Sequence, residues 1–266
     1  MSVYRLKKIL SYLLPPIIMD IIVKIYLGLF SQSPKQLEEP VTSCDVDFIQ
    51  VKYSTQGFVI NIPSEKIRYF GGIAFSQAQH HFIQFYHEGI RALEIFYQSH
   101  KPKNIFQKHY INKEFKNSET LPWLFESIDL DKSEYGLSAT LHGHQAFGPA
   151  SNAKVSLESR RLTKTLKSIK KVGYDISHGL PRGYFLIDTN GSWVFHVVGG
   201  KHRMAALIYL GWKNIPCQLE PSFPRTVYLE RIDEWPGVRN KDFSEEDARE
   251  IFYSYFRNPN CELINE

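Results

Sequence analysis

The chain has 266 residues, 43% hydrophobic and 23% charged, which excludes a disordered or low-complexity protein and suits one large domain or a small domain with additions. Its net charge of +4 is spread along the chain, which argues against a specific nucleic-acid partner. The three cysteines, Cys44, Cys217 and Cys261, have neither metal-site nor redox spacing and fit a reducing, cytoplasmic setting.

Residues 1–31 stand apart. Arg5, Lys7 and Lys8 precede an apolar run from Ile9 to Phe30 that Pro15-Pro16 interrupts. Asp20, Lys24 and Gly28 fall four apart and share one narrow helical stripe. The prolines and the aspartate argue against a clean membrane span, and Ser31-Gln32-Ser33-Pro34 makes a poor signal-cleavage site. The pattern predicts peripheral membrane contact through residues 3–30, at the inner face. A helix buried against the body, and a true span, are the alternative readings. Residues 32–57 are polar and proline-bearing and read as a linker.

Residues 58–136 read as an aromatic-rich, mainly helical region. Phe58 to Ile62 alternates as a short strand, and Ser76-Gln77-Ala78-Gln79 forms a capping box. From Phe82 to Tyr97, aromatic and aliphatic residues recur at three- and four-residue steps, predicting one helix with a wide core face. His80, His81 and His87 read as surface or hydrogen-bonded histidines. Residues 101–131 are loop-rich, with Leu121-Pro122-Trp123 as an anchor.

A core follows over residues 137–222. The loop Gly143 to Ser151 contains Gln145 and Gly148-Pro149. Val155, Leu162, Leu166, Ile169 and Val172 then mark a helix face that Gly173 terminates. Ser151 suits either a helix N-cap or a ligand contact, and Glu158, in the helix's first turns, suits either a structural pair with Arg161 or Arg160 or a catalytic or metal role. His142 and His144 are two residues apart, an incomplete metal site, so the metal ligands stay unassigned. Tyr184–Ile187 and Trp193–Val198 read as two strands of a hairpin around Asn190-Gly191. The chain then reads Gly199-Gly200-Lys201-His202-Arg203, followed by a helix to Leu210 with Gly211 as its left-handed cap. A Gly-Gly turn, three basic residues and a helix N-terminus make a corner suited to phosphate. Residues 223–266 form a C-terminal extension with one short helix, capped by Ser244 and Asp247.

The Gly-Gly-Lys-His-Arg turn, its Ala-Ala-Leu continuation, Gly211 and the strand Ile215-Pro216-Cys217 resemble the ParB/sulfiredoxin superfamily. The order of loop, helix, hairpin, basic corner, helix and strand over residues 137–220 matches as well. The resemblance implies an α+β fold with a ParB/sulfiredoxin-like core. It also implies a nucleotide, ATP or another, on Gly199, Gly200, Lys201, His202 and Arg203, with Gln145 and Ser151 nearby and Mg²⁺ on the phosphates. The Gln-x-Phe-Gly-Pro-x-Ser loop with Glu158 and Arg161 is similar to members associated with surface-polysaccharide biosynthesis. Sulfiredoxins place a reactive cysteine where Lys201 stands, so their thiol chemistry is not expected. Residues 221–266 are too short for the helix-turn-helix domain of DNA-partitioning relatives. The expectation is a nucleotide-dependent kinase of a small hydroxylated metabolite or sugar, with Glu158 as the catalytic base. The alternative is a non-catalytic nucleotide-binding regulator of a membrane-associated assembly, and behind it a nuclease or DNA-binding protein.

Overall fold

The computed structural model describes residues 36–40, 59–75, 80–115, 120–125 and 135–257. Contacts divide the chain at Gln36, and the described residues from Leu37 onward belong to one compact unit. The apolar stretch 1–31, most of the linker and the Ser76–Gln79 capping box lie outside the described residues. Within the linker range, Gln36–Pro40 is a strand, β1. Among the described residues no helix is long and apolar enough to cross a membrane.

The architecture is α+β around a mixed sheet. Its strands are β1, β2 (Val59–Pro63), β3 (Ile67–Arg68), β4 (Arg182–Ile187), β5 (Trp193–Gly199), β6 (Asn214–Leu219) and β7 (Thr226–Tyr228). They run in the order β1-β2-β6-β4-β5-β3, and β7 also pairs with β4. β4 and β5 form the predicted hairpin, with Tyr184 opposite His196 and Phe185 opposite Phe195. The Asp188–Ser192 turn closes it through Asp188 N–H to Ser192 O at 2.8 Å. The other side of β4 is shared by two parallel strands: β6 pairs with Arg182 and Gly183, β7 with Phe185 to Ile187.

β4 from Tyr184 to Ile187 and β5 apart from His196 are apolar or aromatic because both sheet faces are covered. Side chains alternate between the faces. Phe185, Ile187, Trp193, Phe195 and Val197 join one core with Phe82, Leu93, Leu162, Met204 and Leu207. Tyr184, Leu186 and Val194 join a second core with Trp123, Trp235, Ile251, Phe252 and Tyr255. The C-terminal segment therefore forms one wall of the second core. It supplies α7 (Pro236–Arg239) and α8 (Glu245–Ser254), the latter capped by Ser244 as its sequence predicts.

Against the first face pack α1 (His81–Glu88), α2 (Ile90–Ser99), α5 (Asn152–Val172) and α6 (Lys201–Tyr209). Two four-residue helices complete the set, α3 (Ile105–Lys108) and α4 (Ala139–His142). The single helix expected from Phe82 to Tyr97 is two helices. Gly89, at φ 79° and ψ −160°, breaks it, a conformation that glycine adopts at little cost. His80 caps the first of them by accepting from Phe82 N–H at 3.2 Å.

His80 and His81 also differ from expectation, since both are fully buried. His80 Nε2 and His81 Nδ1 lack hydrogen-bond partners, while the rings stack on Phe75 and Phe96 respectively. Burial holds His80 neutral, with its pKa brought down to about 3. A neutral imidazole thus serves here as a flat aromatic packing unit with one polar edge unused.

Candidate functional site

The basic corner forms where β5 turns into α6. Gly200 is left-handed, at φ 73° and ψ 21°, and a Cβ there would lie 2.7 Å from Pro181 Cα. Only glycine fits both the angle and the space. Gly200 has no side chain to cap the helix, so the first-turn N–H groups of α6 receive no side-chain cap. At its other end α6 closes as predicted. Gly211 is left-handed, Trp212 N–H reaches Leu207 O at 3.1 Å, and Gly211 N–H reaches Ile208 O at 2.9 Å.

A cleft of about 700 Å³ opens over this corner. One wall is a single face of α5, bearing Arg161, Lys164, Thr165, Ser168 and Val172 at helical spacing. The other runs from Val198 to Arg203, and Gln145 lies between. The N-terminus of α6, Arg161, Lys164, Lys201 and Arg203 all border the same space. Asp175 is the one carboxylate among the described lining residues, and it pairs with His178 at 3.1 Å. Arg203 donates to the backbone carbonyls of His178 and Gly179, which ties the loop after α5 to the corner.

Beneath the cleft lies a buried ionic cluster centred on Glu158, which is 0% exposed. Its Oε2 meets His202 Nε2 at 2.5 Å and accepts from Gln145 Nε2 at 3.0 Å. Its Oε1 faces Lys154 Nζ at 3.2 Å and Arg161 at 3.4 Å. Burial by itself would raise the Glu158 pKa. The His202 hydrogen bond and charge, with Gln145 and Lys154, outweigh it and hold the carboxyl at about 2. His202 is 8% exposed, stacks on Phe82 at 5.1 Å, and borders the cleft that Glu158 does not reach. Expected to meet an acceptor hydroxyl directly, Glu158 is instead sealed in place with both oxygens engaged. A carboxylate with so low a pKa is also a weak proton acceptor. The chemistry it offers is to orient His202.

The loop from His142 to Ser151 carries Gln145 to this cluster. The Gln145 carbonyl accepts from Tyr97 at 2.9 Å, and Gly148 N–H donates to His100 O at 2.7 Å. A Cβ on Gly148 would collide with the Tyr97 carbonyl, so the loop's glycine is required by close packing on α2. Ser151 takes the cap role. It accepts from Lys154 N–H at 3.2 Å, contacts His142 Nδ1 at 3.0 Å, and borders neither cleft nor cavity. His144 Nδ1 accepts from Ala146 N–H at 3.0 Å, so both loop histidines are engaged in fixing the loop.

A second, smaller space of about 170 Å³ lies beside the corner. Lys108, Arg182, Glu220 and Phe147 line it. Val198, Gly199 and Lys201 border both spaces, so the corner is their shared wall. Sequence reasoning missed this cavity, because Lys108 comes from a stretch with no periodic signal. Among the described residues no group of three or more His, Cys, Asp or Glu could hold a metal ion.

No family model matches the chain, and no curated protein or solved structure matches it either.

Proposed function

We propose that the chain is a nucleotide-dependent phosphotransferase acting on a small hydroxylated metabolite, built on a ParB/sulfiredoxin-like core. The observation that carries this reading is the shared wall: a basic cleft and a smaller cavity meet at Val198, Gly199 and Lys201. Phosphoryl transfer between two bound molecules needs two compartments, with cationic groups where they join. The cleft suits the nucleotide, with its phosphates at the N-terminus of α6 near Lys201 and Arg203. The cavity suits the acceptor. The acceptor's hydroxyl oxygen forms a bond to the terminal phosphorus. The bond from that phosphorus to its bridging oxygen breaks, and the electron pair leaves with the nucleoside diphosphate. The hydroxyl proton passes to an oxygen of the transferred phosphoryl group, while Glu158 orients His202 at the cleft wall. Glu158 is then a positioning residue.

The order of loop, α5, hairpin, corner, α6 and β6 supports the core assignment. A nucleotide-binding regulator without turnover is the second reading, favoured by one observation: the buried carboxylate offers the cleft no open oxygen.

Calorimetric titration with ATP, GTP and CTP tests the reading, followed by nucleotide consumption against pools of hydroxylated metabolites. Arg203→Ala removes a charge-assisted bond worth about 1.5–3 kcal/mol and is expected to weaken nucleotide binding about 10- to 150-fold. Unchanged affinity in the folded variant, or no nucleotide binding by the intact protein, overturns the assignment of the corner. Binding without consumption in any pool favours the regulator.

A further inference from the structure

The chain between α5 and β4 is pinned at both ends. Gly173 N–H donates to Ile169 O at 3.0 Å, and Pro181 O accepts from Gln218 N–H at 2.9 Å. Between these points, Asp175 to Gly179 are all exposed. They form a single helical turn, Ile176–His178, whose hydrogen bonds close on the segment itself. Gly179 N–H donates to Ile176 O at 2.9 Å, and Ser177 N–H donates to the Asp175 carboxylate at 2.8 Å. Gly173, Tyr174, Asp175 and His178 line the cleft, so the segment is a strap along its wall. Arg203 joins this strap to the corner. Its Nη1 donates to His178 O at 2.9 Å and also to Gly179 O. Gly179 is left-handed, at φ 93°, and a Cβ there would lie 3.1 Å from the same Nη1. Tyr174 lies beside the guanidinium: burial raises its phenol to about 12, against the opposing effect of the Arg203 charge.

We infer that the strap is an autoinhibitory latch: in the empty protein its carbonyl oxygens occupy Arg203, and a phosphate group entering the corner takes Arg203 from them and releases the strap. Both carbonyls are neutral acceptors. A phosphate brings the charge they lack, and a guanidinium can meet it with two parallel bonds. The two bonds from Nη1 to the strap are exposed, so water competes for them already. A segment whose residues are exposed and whose hydrogen bonds close on itself belongs to the least stable part of a fold. Strap order and anion binding then oppose each other by linkage: whatever loosens the strap raises the affinity of the corner, and the anion loosens the strap. The inference rests on the corner taking phosphate, which is one half of the phosphotransferase reading, and not on turnover.

The test is hydrogen–deuterium exchange of the intact protein over residues 173–181, with and without inorganic pyrophosphate at a concentration that calorimetry shows to be saturating. Pyrophosphate is expected to speed exchange at Ser177, His178 and Gly179 at least about fivefold, the equivalent of losing about one hydrogen bond. Arg203→Ala is expected to exchange fast without pyrophosphate and to change no further with it. Lys167→Ala, exposed on α5 and outside the cleft lining, is expected to behave as wild type. Gly179→Ala, which strains the strap and crowds Nη1, is expected to tighten pyrophosphate binding about threefold or more. No pyrophosphate binding, unchanged or slower exchange on binding, wild-type exchange in folded Arg203→Ala, or no gain of affinity in folded Gly179→Ala overturns the inference. The wild-type comparison decides it even where a variant does not fold. The two proposals fail separately. Nucleotide consumption with an unmoved strap keeps the phosphotransferase and sinks the latch. A strap that opens with pyrophosphate, in a protein that consumes no nucleotide with any acceptor pool, does the reverse.

Discussion

Replacing Glu158 with glutamine tests whether the buried cluster organises the site. The side chain keeps its size but loses its charge, leaving Lys154, 5% exposed at its side chain, without its carboxylate partner. Breaking one member of a buried ionic group costs about 3–5 kcal/mol. The pKa gives an independent figure: a fall from the usual 4.5 to about 2 corresponds to ~3 kcal/mol at about 1.36 kcal/mol per pH unit. The two estimates agree, and both exceed the ~1 kcal/mol or less expected if Glu158 met only the partly exposed Arg161.

The same pKa fixes the pH window. A carboxylate whose folded pKa lies below its unfolded value stabilises fully above the unfolded value, near 4.5, and that contribution is lost as pH falls toward 2. Urea unfolding of wild type and Glu158→Gln, compared from about pH 7 to about pH 3, measures it. The difference is expected to stay near 3 kcal/mol down to about pH 5 and to shrink to about half by pH 3. At neutral pH the melting temperature should drop by about 6–12 °C. A difference below about 1 kcal/mol at pH 7, or one that does not change with pH, would refute the cluster's energetic role.

Three other outcomes are expected. Gly200→Ala should destabilise by about 1–3 kcal/mol beyond Gly191→Ala in thermal melts, because both glycines are left-handed but only Gly200 faces backbone at 2.7 Å. Cys217 is fully buried and its thiol is pushed well above 9, so alkylation mapped by mass spectrometry at mildly alkaline pH should leave it unmodified until denaturant is added. The basic and apolar character of residues 3–30 leads to the expectation that full-length protein floats with anionic liposomes and that a version starting near Ser33 does not; equal behaviour of the two would remove the membrane proposal.

Much of the scaffold was legible because its signals are local. The Asn190-Gly191 hairpin, the Ser151 and Ser244 caps and the Gly211 terminator each depend on residues within one turn of one another. Gly89 shows the limit of periodicity. Apolar spacing continues straight through it, and only the glycine marks the break between α1 and α2. The Glu158 cluster was half legible. Lys154 and Arg161 fall at helical spacing from Glu158, but His202 comes from 44 residues away, beyond the β4–β5 hairpin. Periodicity could place His81 on a helix but could not show its burial, which arises when the ring of Phe96 from the next helix covers it. Lys108 and Arg182 meet around one cavity only after the chain has folded, so no spacing announced it.

Several cations around the corner have a carboxylate partner of their own. Glu158 takes Lys154 and Arg161 beneath the floor, and Glu220 takes Arg182 at the cavity rim. Each pairing lowers the repulsion that so many positive charges would otherwise create. Along the cleft itself, Asp175 is the one described carboxylate, and it is turned to His178. Arg203 is held by carbonyl oxygens, which orient the guanidinium without cancelling its charge. A surface meant only to be soluble would intersperse both signs along such a wall. Under the proposed phosphotransferase reading, a polyanion entering at the α6 N-terminus would meet Lys164, Lys201 and Arg203 along one wall.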